Sequence, residues 1–173
     1  QAATEAGIPV CAVDTDDPNS GRIAFFGTSN YDAGYQAGQL MAEATEGKGK
    51  VCVLTAVLTS PTQMDRIEGF KAAIADYPEM EILTQEQTDS DLQKSIDKAT
   101  ACIGAYPECN AFFGAASLDG AGAAKAVVEM GLEDQFKIVC FDDVEETIKA
   151  VKAGTIVGTI VQDPYQMAYQ SVK

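Results

Sequence analysis

The chain contains no histidine, so no imidazole is available as the base of a Ser-His or Cys-His pair. Its five cysteines include no C-x-x-C spacing, which leaves zinc without a ligand set. Basic residues are scarce, 12 against 26 acidic ones, for a net charge of −14. Phosphate contacts need clustered Lys and Arg, so nucleic acid is excluded as a partner, and the acidic surplus reads as a self-repelling, solvated surface. No apolar run approaches the length that spans a bilayer, and no signal-peptide pattern opens the chain. Neither G-x-x-x-x-G-K-[ST] nor G-x-G-x-x-G follows a strand pattern. A receiver-like phosphoacceptor would need an acidic pair at one strand end and an aspartate at a neighbouring one. Asp142-Asp143 supplies the pair, but the strand over 51–55 ends without a carboxylate.

What is present is a repeated pattern of apolar strand, polar tip and helix. Of the 173 residues 46% are hydrophobic, enough for one good core. Strands are predicted over 8–14, 23–27, 51–55, 82–84, 111–114, 137–141 and 156–161, with Cys11, Cys52 and Cys140 as small hydrophobes inside them. The helix after Asn30 carries Ala33, Ala37, Leu40 and Met41 at helical spacing, and its Gly34 and Gly38 allow a close approach to the sheet. Ser60-Pro61-Thr62-Gln63 reads as a capping box with proline at its first helical position. Met64, Ile67, Phe70 and Ile74 then form a buried stripe, with Arg66 on the exposed side as a salt-bridge partner. Asp91 and Ser117 read as helix caps, and Asp143 with Glu146 as a second capping box. Cys102 and Cys109 flank one helix end and could pair. Residues 1–7 read as the last turns of a helix stopped by Gly7, so the chain is expected to be a fragment.

Alternating strands and helices of ordinary length predict an α/β fold with a doubly wound parallel sheet. Asp142 ends an unbroken apolar strand beside a helix start, where open α/β sheets bind ligands.

With its strand tips in place, the chain resembles type I periplasmic sugar-binding proteins of the ribose- and galactose-binding class, whose fold the effector cores of LacI-type repressors share. The resemblance rests on Gly7-Ile8-Pro9-Val10 through Val13-Asp14, Gly27-Thr28-Ser29-Asn30-Tyr31, Arg66-Ile67-Glu68-Gly69-Phe70, Gly120-Ala121-Gly122-Ala123, Val139-Cys140-Phe141-Asp142 and Thr159-Ile160-Val161-Gln162-Asp163-Pro164. It implies two lobes closing on a ligand. Residues 1–28 would be a remnant of the first lobe, 29–162 the second lobe, and 163–173 the start of a segment returning to the first.

The same resemblance implies ligand contacts from Asp14, Asp142 and Gln162, with Thr15 beside Asp14. Ionised carboxylates accept charge-assisted hydrogen bonds from vicinal hydroxyls, and an amide both donates and accepts. Where the family often has an arginine, an Asn-Asp pair and an aromatic residue, this chain has Met64, Ala116-Ser117 and Ser90. Those positions offer fewer polar contacts than a ribose site does, which leaves the ligand's identity open.

The implied activity is capture of a small, neutral, sugar-like solute, without catalysis or cofactor, by an extracytoplasmic protein serving an ABC permease or a membrane sensor. The alternative is the effector core of a cytoplasmic LacI-type regulator. Self-association through the first-lobe remnant is a further expectation.

Overall fold

The computed structural model describes residues 2–173. The chain runs α1 (Ala2–Glu5), β1 (Cys11–Val13), β2 (Ala24–Phe26), α2 (Asn30–Ala44), β3 (Lys50–Thr55), α3 (Pro61–Ile74) and β4 (Glu81–Gln87). It continues through α4 (Leu92–Ala105), β5 (Ala111–Gly114), α5 (Asp119–Glu129), β6 (Lys137–Phe141), α6 (Glu145–Ala153), β7 (Gly158–Ile160) and α7 (Pro164–Val172). These elements form two compact units. The larger is Asn30–Val161; the smaller joins the chain up to Ser29 with Gln162–Lys173.

In the larger unit five strands pair in parallel in the order β4-β3-β5-β6-β7. Strand alternation sends Val51, Val53, Phe113, Val139 and Phe141 to one face, where α2 and α3 cover them with Met41, Ile67 and Phe70. Cys52, Leu54, Phe112, Ile138 and Cys140 point the other way, onto Ile96 and Ala99 of α4 and Ala123 and Val127 of α5. Both faces of the central strands are therefore dry, which is why those strands read as unbroken apolar runs. This is the doubly wound α/β arrangement expected. The order reverses between β3 and β5, the point at which such sheets open a crevice at their carboxyl edge.

Several strand lengths differ from expectation. β4 runs to seven residues because its half-buried edge position tolerates Gln85 and Glu86. β1, β2 and β7 shrink to three residues each, each paired with a single neighbouring strand.

Gly34 and Gly38 serve a helix rather than the sheet. A Cβ at Gly34 would lie 1.9 Å from the Arg66 carbonyl oxygen, and one at Gly38 2.8 Å from that of Phe70. On α3, a Cβ at Gly69 would meet the Tyr31 carbonyl at 2.0 Å. The two helices thus cross backbone to backbone, and no side chain can rotate away to make room. Gly34→Ala is expected to lower unfolding free energy by about 3 kcal/mol, the upper end of ordinary overpacking. Urea titration checks this; a loss under about 0.5 kcal/mol would mean that the helices slide apart freely.

Several local expectations need correction. Ser60 occupies the N-cap position of α3, but its side chain makes no capping bond. Gln63 turns its Oε1 instead to the Val57 N–H at 2.8 Å and to the Thr55 hydroxyl, fastening the loop after β3. Nor does Asp143 cap α6: the N-cap residue is Val144, and Asp143 is exposed. Ser117 also fails as a cap, because α5 starts one residue later, behind Leu118. Asp91 does cap α4, accepting the Lys94 N–H at 2.8 Å. Met64 leaves the buried stripe at 49% exposure, whereas Arg66, expected outside, is 4% exposed. Ile67, Phe70 and Ile74 of the expected stripe are buried; the difference is confined to Met64 and to Arg66, which turns inward to Asn30 and the Ala115 carbonyl.

All five cysteines are free thiols. Cys102 and Cys109 do not pair, and the Cys109 sulfur lies 3.4 Å from that of Cys52. Cys11, expected as a small hydrophobe, is exposed.

In the smaller unit β1 and β2 pair in parallel, and α7 contacts both. Among its described residues none is fully buried, and Ile8, Ile23, Tyr165 and Val172 are more than half exposed.

Candidate functional site

All five strands of the larger unit run the same way, so the loops after β3, β4, β5 and β6 gather at one edge. That edge carries Met64 in the first turn of α3, Ser90 after β4, Ala116 and Ser117 after β5, and Asp142 after β6. The parallel sheet brings these five together. Asp14, Thr15 and Gln162 belong to the smaller unit.

Asp142 follows the last residue of β6 with φ at 65°, in the left-handed region that side chains with a Cβ rarely enter. Its N–H donates to the Ile160 carbonyl at 2.9 Å, and its carbonyl accepts the Thr159 hydroxyl at 2.7 Å. Both neighbours flank the end of β7, so the adjacent strand holds the unusual backbone in place. Asp14 repeats this arrangement in the smaller unit. It follows β1 with φ at 68°, and its N–H donates to the carbonyl of Phe26, the last residue of β2, at 3.0 Å. In each unit, then, an aspartate just past a strand is turned out of the ladder while its backbone stays pinned. Left-handed backbone at non-glycine residues costs on the order of 1 kcal/mol and persists where surroundings over-determine it, often at ligand sites.

Thr15 sits beside Asp14, its hydroxyl 3.4 Å from the Asp14 carboxylate, and both residues are exposed. Gln162 is half-buried, and its side-chain oxygen accepts the Thr28 hydroxyl at 2.8 Å. That bond ties together the two segments through which the chain leaves and re-enters the smaller unit.

Ser90 is exposed, and both it and Asp89 have φ at 56°. Ala116 is nearly buried at 8%, Ser117 is half-buried, and Met64 presents its thioether to solvent. Val57 and Leu58, each 41% exposed, extend this apolar surface along the loop after β3. Of the five expected residues on this edge one is a carboxylate and the others are small or apolar; Asp89, paired with Lys94, and Asp143 are exposed in the same loops.

Two charged residues lie buried under this edge, neither of them expected there from the sequence. The Arg66 guanidinium donates to Asn30 Oδ1 at 2.9 Å and to the Ala115 carbonyl at 2.8 Å, and lies 4.0 Å from the centre of the Phe141 ring. It thereby supports the loop holding Ala116 and the strand end leading to Asp142. Asp119 is fully buried. Its Oδ1 accepts the hydroxyls of Thr88 at 2.7 Å and Ser95 at 3.3 Å, and its Oδ2 accepts the Ala116 N–H at 2.9 Å. The signal that could have found Asp119 is its place at the start of the alanine- and glycine-rich, all-apolar face of α5.

Burial pushes the Asp119 carboxyl up to about 6, against its bonds from Thr88, Ala116 and Ser95, which pull it down. A native value above the unfolded one means that the folded chain holds the proton more tightly. The contribution to stability is therefore full below about pH 4 and is lost as pH rises through about 6. The titratable group facing it from β6 is Cys140, whose thiol burial pushes up to about 11, so it stays neutral throughout. From pH 4.5 to 7.5 Asp119 should cost the fold about 2 kcal/mol. Denaturant titration of the unaltered protein and of Asp119→Asn at both pH values isolates this difference. Equal pH dependence in the two proteins would contradict it.

Residues 1–173 match the family profile described as a periplasmic binding protein domain. GanP, a glucose-galactose binding protein from Geobacillus stearothermophilus, superposes with a TM-score of 0.96 at 38% identity, over 99% of this chain and 61% of that one. An ABC transporter solute-binding protein from Burkholderia graminis C4D1M, solved with D-arabinose, superposes with a TM-score of 0.94 at 31% identity, over 99% and 60%. The ribose import binding protein RbsB of Escherichia coli K12 is 27% identical over 171 residues, 99% of this chain and 57% of that one. The chain spans about half the length of the curated relatives it matches. Parallel strands and a profile match along the whole chain agree: it belongs to the periplasmic binding protein family, in its type I, ribose- and galactose-class form.

Proposed function

We propose that this chain is the larger part of a non-enzymatic, extracytoplasmic receptor that captures a small neutral sugar or sugar-like solute between two lobes. The observation that carries this reading is the repeated aspartate: Asp14 and Asp142 share one backbone geometry at equivalent strand ends of two separate units. A carboxylate from each unit, both accepting from hydroxyls of one ligand, stabilises only the arrangement in which the units face each other across it. Closure is then a population shift driven by contacts that the open form lacks. Gln162 adds an amide that can donate as well as accept.

In this reading Asn30–Val161 is one lobe, and the smaller unit is part of the other. The exposed Ile8, Ile23, Tyr165 and Val172 belong to faces that the rest of that lobe covers; without it they favour self-association. Met64, Ser90, Ala116 and Ser117 shape one wall of the site, and their lack of charge suits a ligand with an apolar face. The relatives named above, a sugar-binding protein, an import binding protein and an ABC transporter component, support delivery to a permease rather than the regulator reading.

The test is a thermal-shift screen of the intact protein with D-glucose, D-galactose, D-arabinose, D-ribose and xylitol against amino acids, nucleotides and anionic metabolites. At ligand 100-fold above Kd, stabilisation of about 2.7 kcal/mol is expected from at least one neutral polyol. Stabilisation by anionic metabolites alone would overturn the proposal.

A further inference from the structure

We propose that Asp119 is a positioning residue of the binding face, one buried carboxylate that sets the loops carrying Ser90 and Ala116 from beneath. The inference deepens the receptor reading and rests on it. The strand order gives the reason such a bridge is needed. β4 and β5 lie on opposite sides of β3, so the loops that follow them share no ladder bonds. Each is tied separately to the end of β3: the Thr88 N–H donates to the Thr55 carbonyl at 2.9 Å, and the Ala115 N–H to that of Leu54 at 2.8 Å. The Asp119 carboxylate spans this gap. Its Oδ1 takes the hydroxyl of Thr88, two residues before Ser90, and that of Ser95 in the first turn of α4. Its Oδ2 takes the N–H of Ala116 itself.

The loop so held is a strained one. Asp89 and Ser90 are consecutive non-glycine residues in left-handed conformation, a pairing that persists only where neighbours enforce it. Thr88, on their amino side, is buried and bonded to Asp119. Asp91, on their other side, is bonded through its N–H to the Thr88 carbonyl at 3.1 Å and caps α4. Releasing the Thr88 hydroxyl from Asp119 therefore loosens the turn that presents Ser90, which keeps the Asp89 N–H bond to the Ala56 carbonyl at 2.9 Å and the Asp89–Lys94 ion pair. Charge is not required for the bridge. In Asp119→Asn the amide oxygen can accept the Ala116 N–H while its NH2 donates to the two hydroxyl oxygens. In Asp119→Leu a side chain of similar size makes none of these bonds.

Hydrogen exchange on the ligand-free intact protein, followed by calorimetric titration with D-galactose and with D-arabinose, tests the proposal. In Asp119→Leu, amides at 89–91 and 116–118 should exchange at least about tenfold faster while the β3 amides keep their protection, and affinity for whichever sugar binds should fall about tenfold. Asp119→Asn should restore both to within about twofold. Should Asp119→Leu not fold, Thr88→Val removes the hydroxyl that bonds Asp119, with its 3.2 Å contact to the Thr55 carbonyl, and spares the Ala116 bond; it should speed exchange at 89–91, leave Ala116 unchanged and weaken binding. Unchanged exchange overturns the bridge and leaves the receptor reading standing. Faster exchange with unchanged affinity makes Asp119 a stabilising residue only and overturns the positioning role, as does an asparagine variant that behaves like leucine. If the unaltered protein binds neither sugar nor any other neutral polyol, the receptor reading falls and takes the positioning role with it.

Discussion

Replacing Asp142 with alanine in the intact receptor is expected to weaken sugar binding by at least about 10- to 150-fold, the equivalent of about 1.5–3 kcal/mol for hydrogen bonds to a charged acceptor. The fold should survive, because what pins this position is its backbone: the N–H bond to Ile160 and the carbonyl bond from Thr159 do not involve the carboxylate. Alanine tolerates φ near 65° less well than aspartate, so a stability loss of about 1 kcal/mol should accompany the change. Asp142→Asn separates the two effects: it keeps the backbone preference and the size but loses the charge. Asp143 is the control. It is exposed and caps nothing, so Asp143→Ala should leave both stability and affinity within about 0.5 kcal/mol of the unaltered protein. Calorimetry showing normal binding by the Asp142 variants would remove this residue from the site.

Arg66→Met should have the largest effect on stability, about 3–5 kcal/mol. The methionine fills much of the same space, but Asn30 Oδ1 and the Ala115 carbonyl lose a buried charged donor, and Phe141 loses the guanidinium against its ring. Arg66→Lys keeps the charge without the fork and should recover only part of the loss. Since Ala115 precedes Ala116 and Phe141 precedes Asp142, sugar affinity should fall in both variants even under conditions where they remain folded. A denaturant midpoint for Arg66→Met that matches the unaltered protein would show that the guanidinium is dispensable to this edge.

The sequence carried the architecture well, for a physical reason. Strands buried on both faces leave unbroken apolar runs, and Val139-Cys140-Phe141 ending in Asp142 is legible as such a strand with its tip. Edge strands were harder. β4 carries Gln85 and Glu86 among its residues because solvent reaches it, and that polarity masked most of its length. Helix-face assignments held except at the amino-terminal part of α3. Spacing put Ile67, Phe70 and Ile74 inside, as they are, but also Met64 inside and Arg66 outside, because it does not show that Asn30 and the Ala115 carbonyl receive the guanidinium. Capping motifs also misled, since Gln63 found better partners across the loop than at its own helix start.

Of the candidate site, Met64, Ser90, Ala116, Ser117 and Asp142 fall on one sheet edge because parallel topology requires it. The polar groups beneath that edge were not legible. In sequence Arg66 reads as a surface charge and Asp119 could face either way; the convergence of Asn30 and Ala115 on the one, and of Thr88, Ser95 and Ala116 on the other, marks them as interior. The Ala116 bond is local, but the others join residues far apart in the chain, and no local spacing encodes them.

The most direct test of the central claim is small-angle X-ray scattering of the intact receptor, with and without a saturating amount of the neutral polyol that stabilises it most. If a carboxylate from each unit engages the same ligand, the sugar should reduce the radius of gyration, and the reduction should vanish in both Asp14→Ala and Asp142→Ala at sugar concentrations that saturate only the unaltered protein. A saturated receptor whose radius of gyration stays unchanged, or one that contracts equally in the two variants, would contradict closure driven by the paired aspartates.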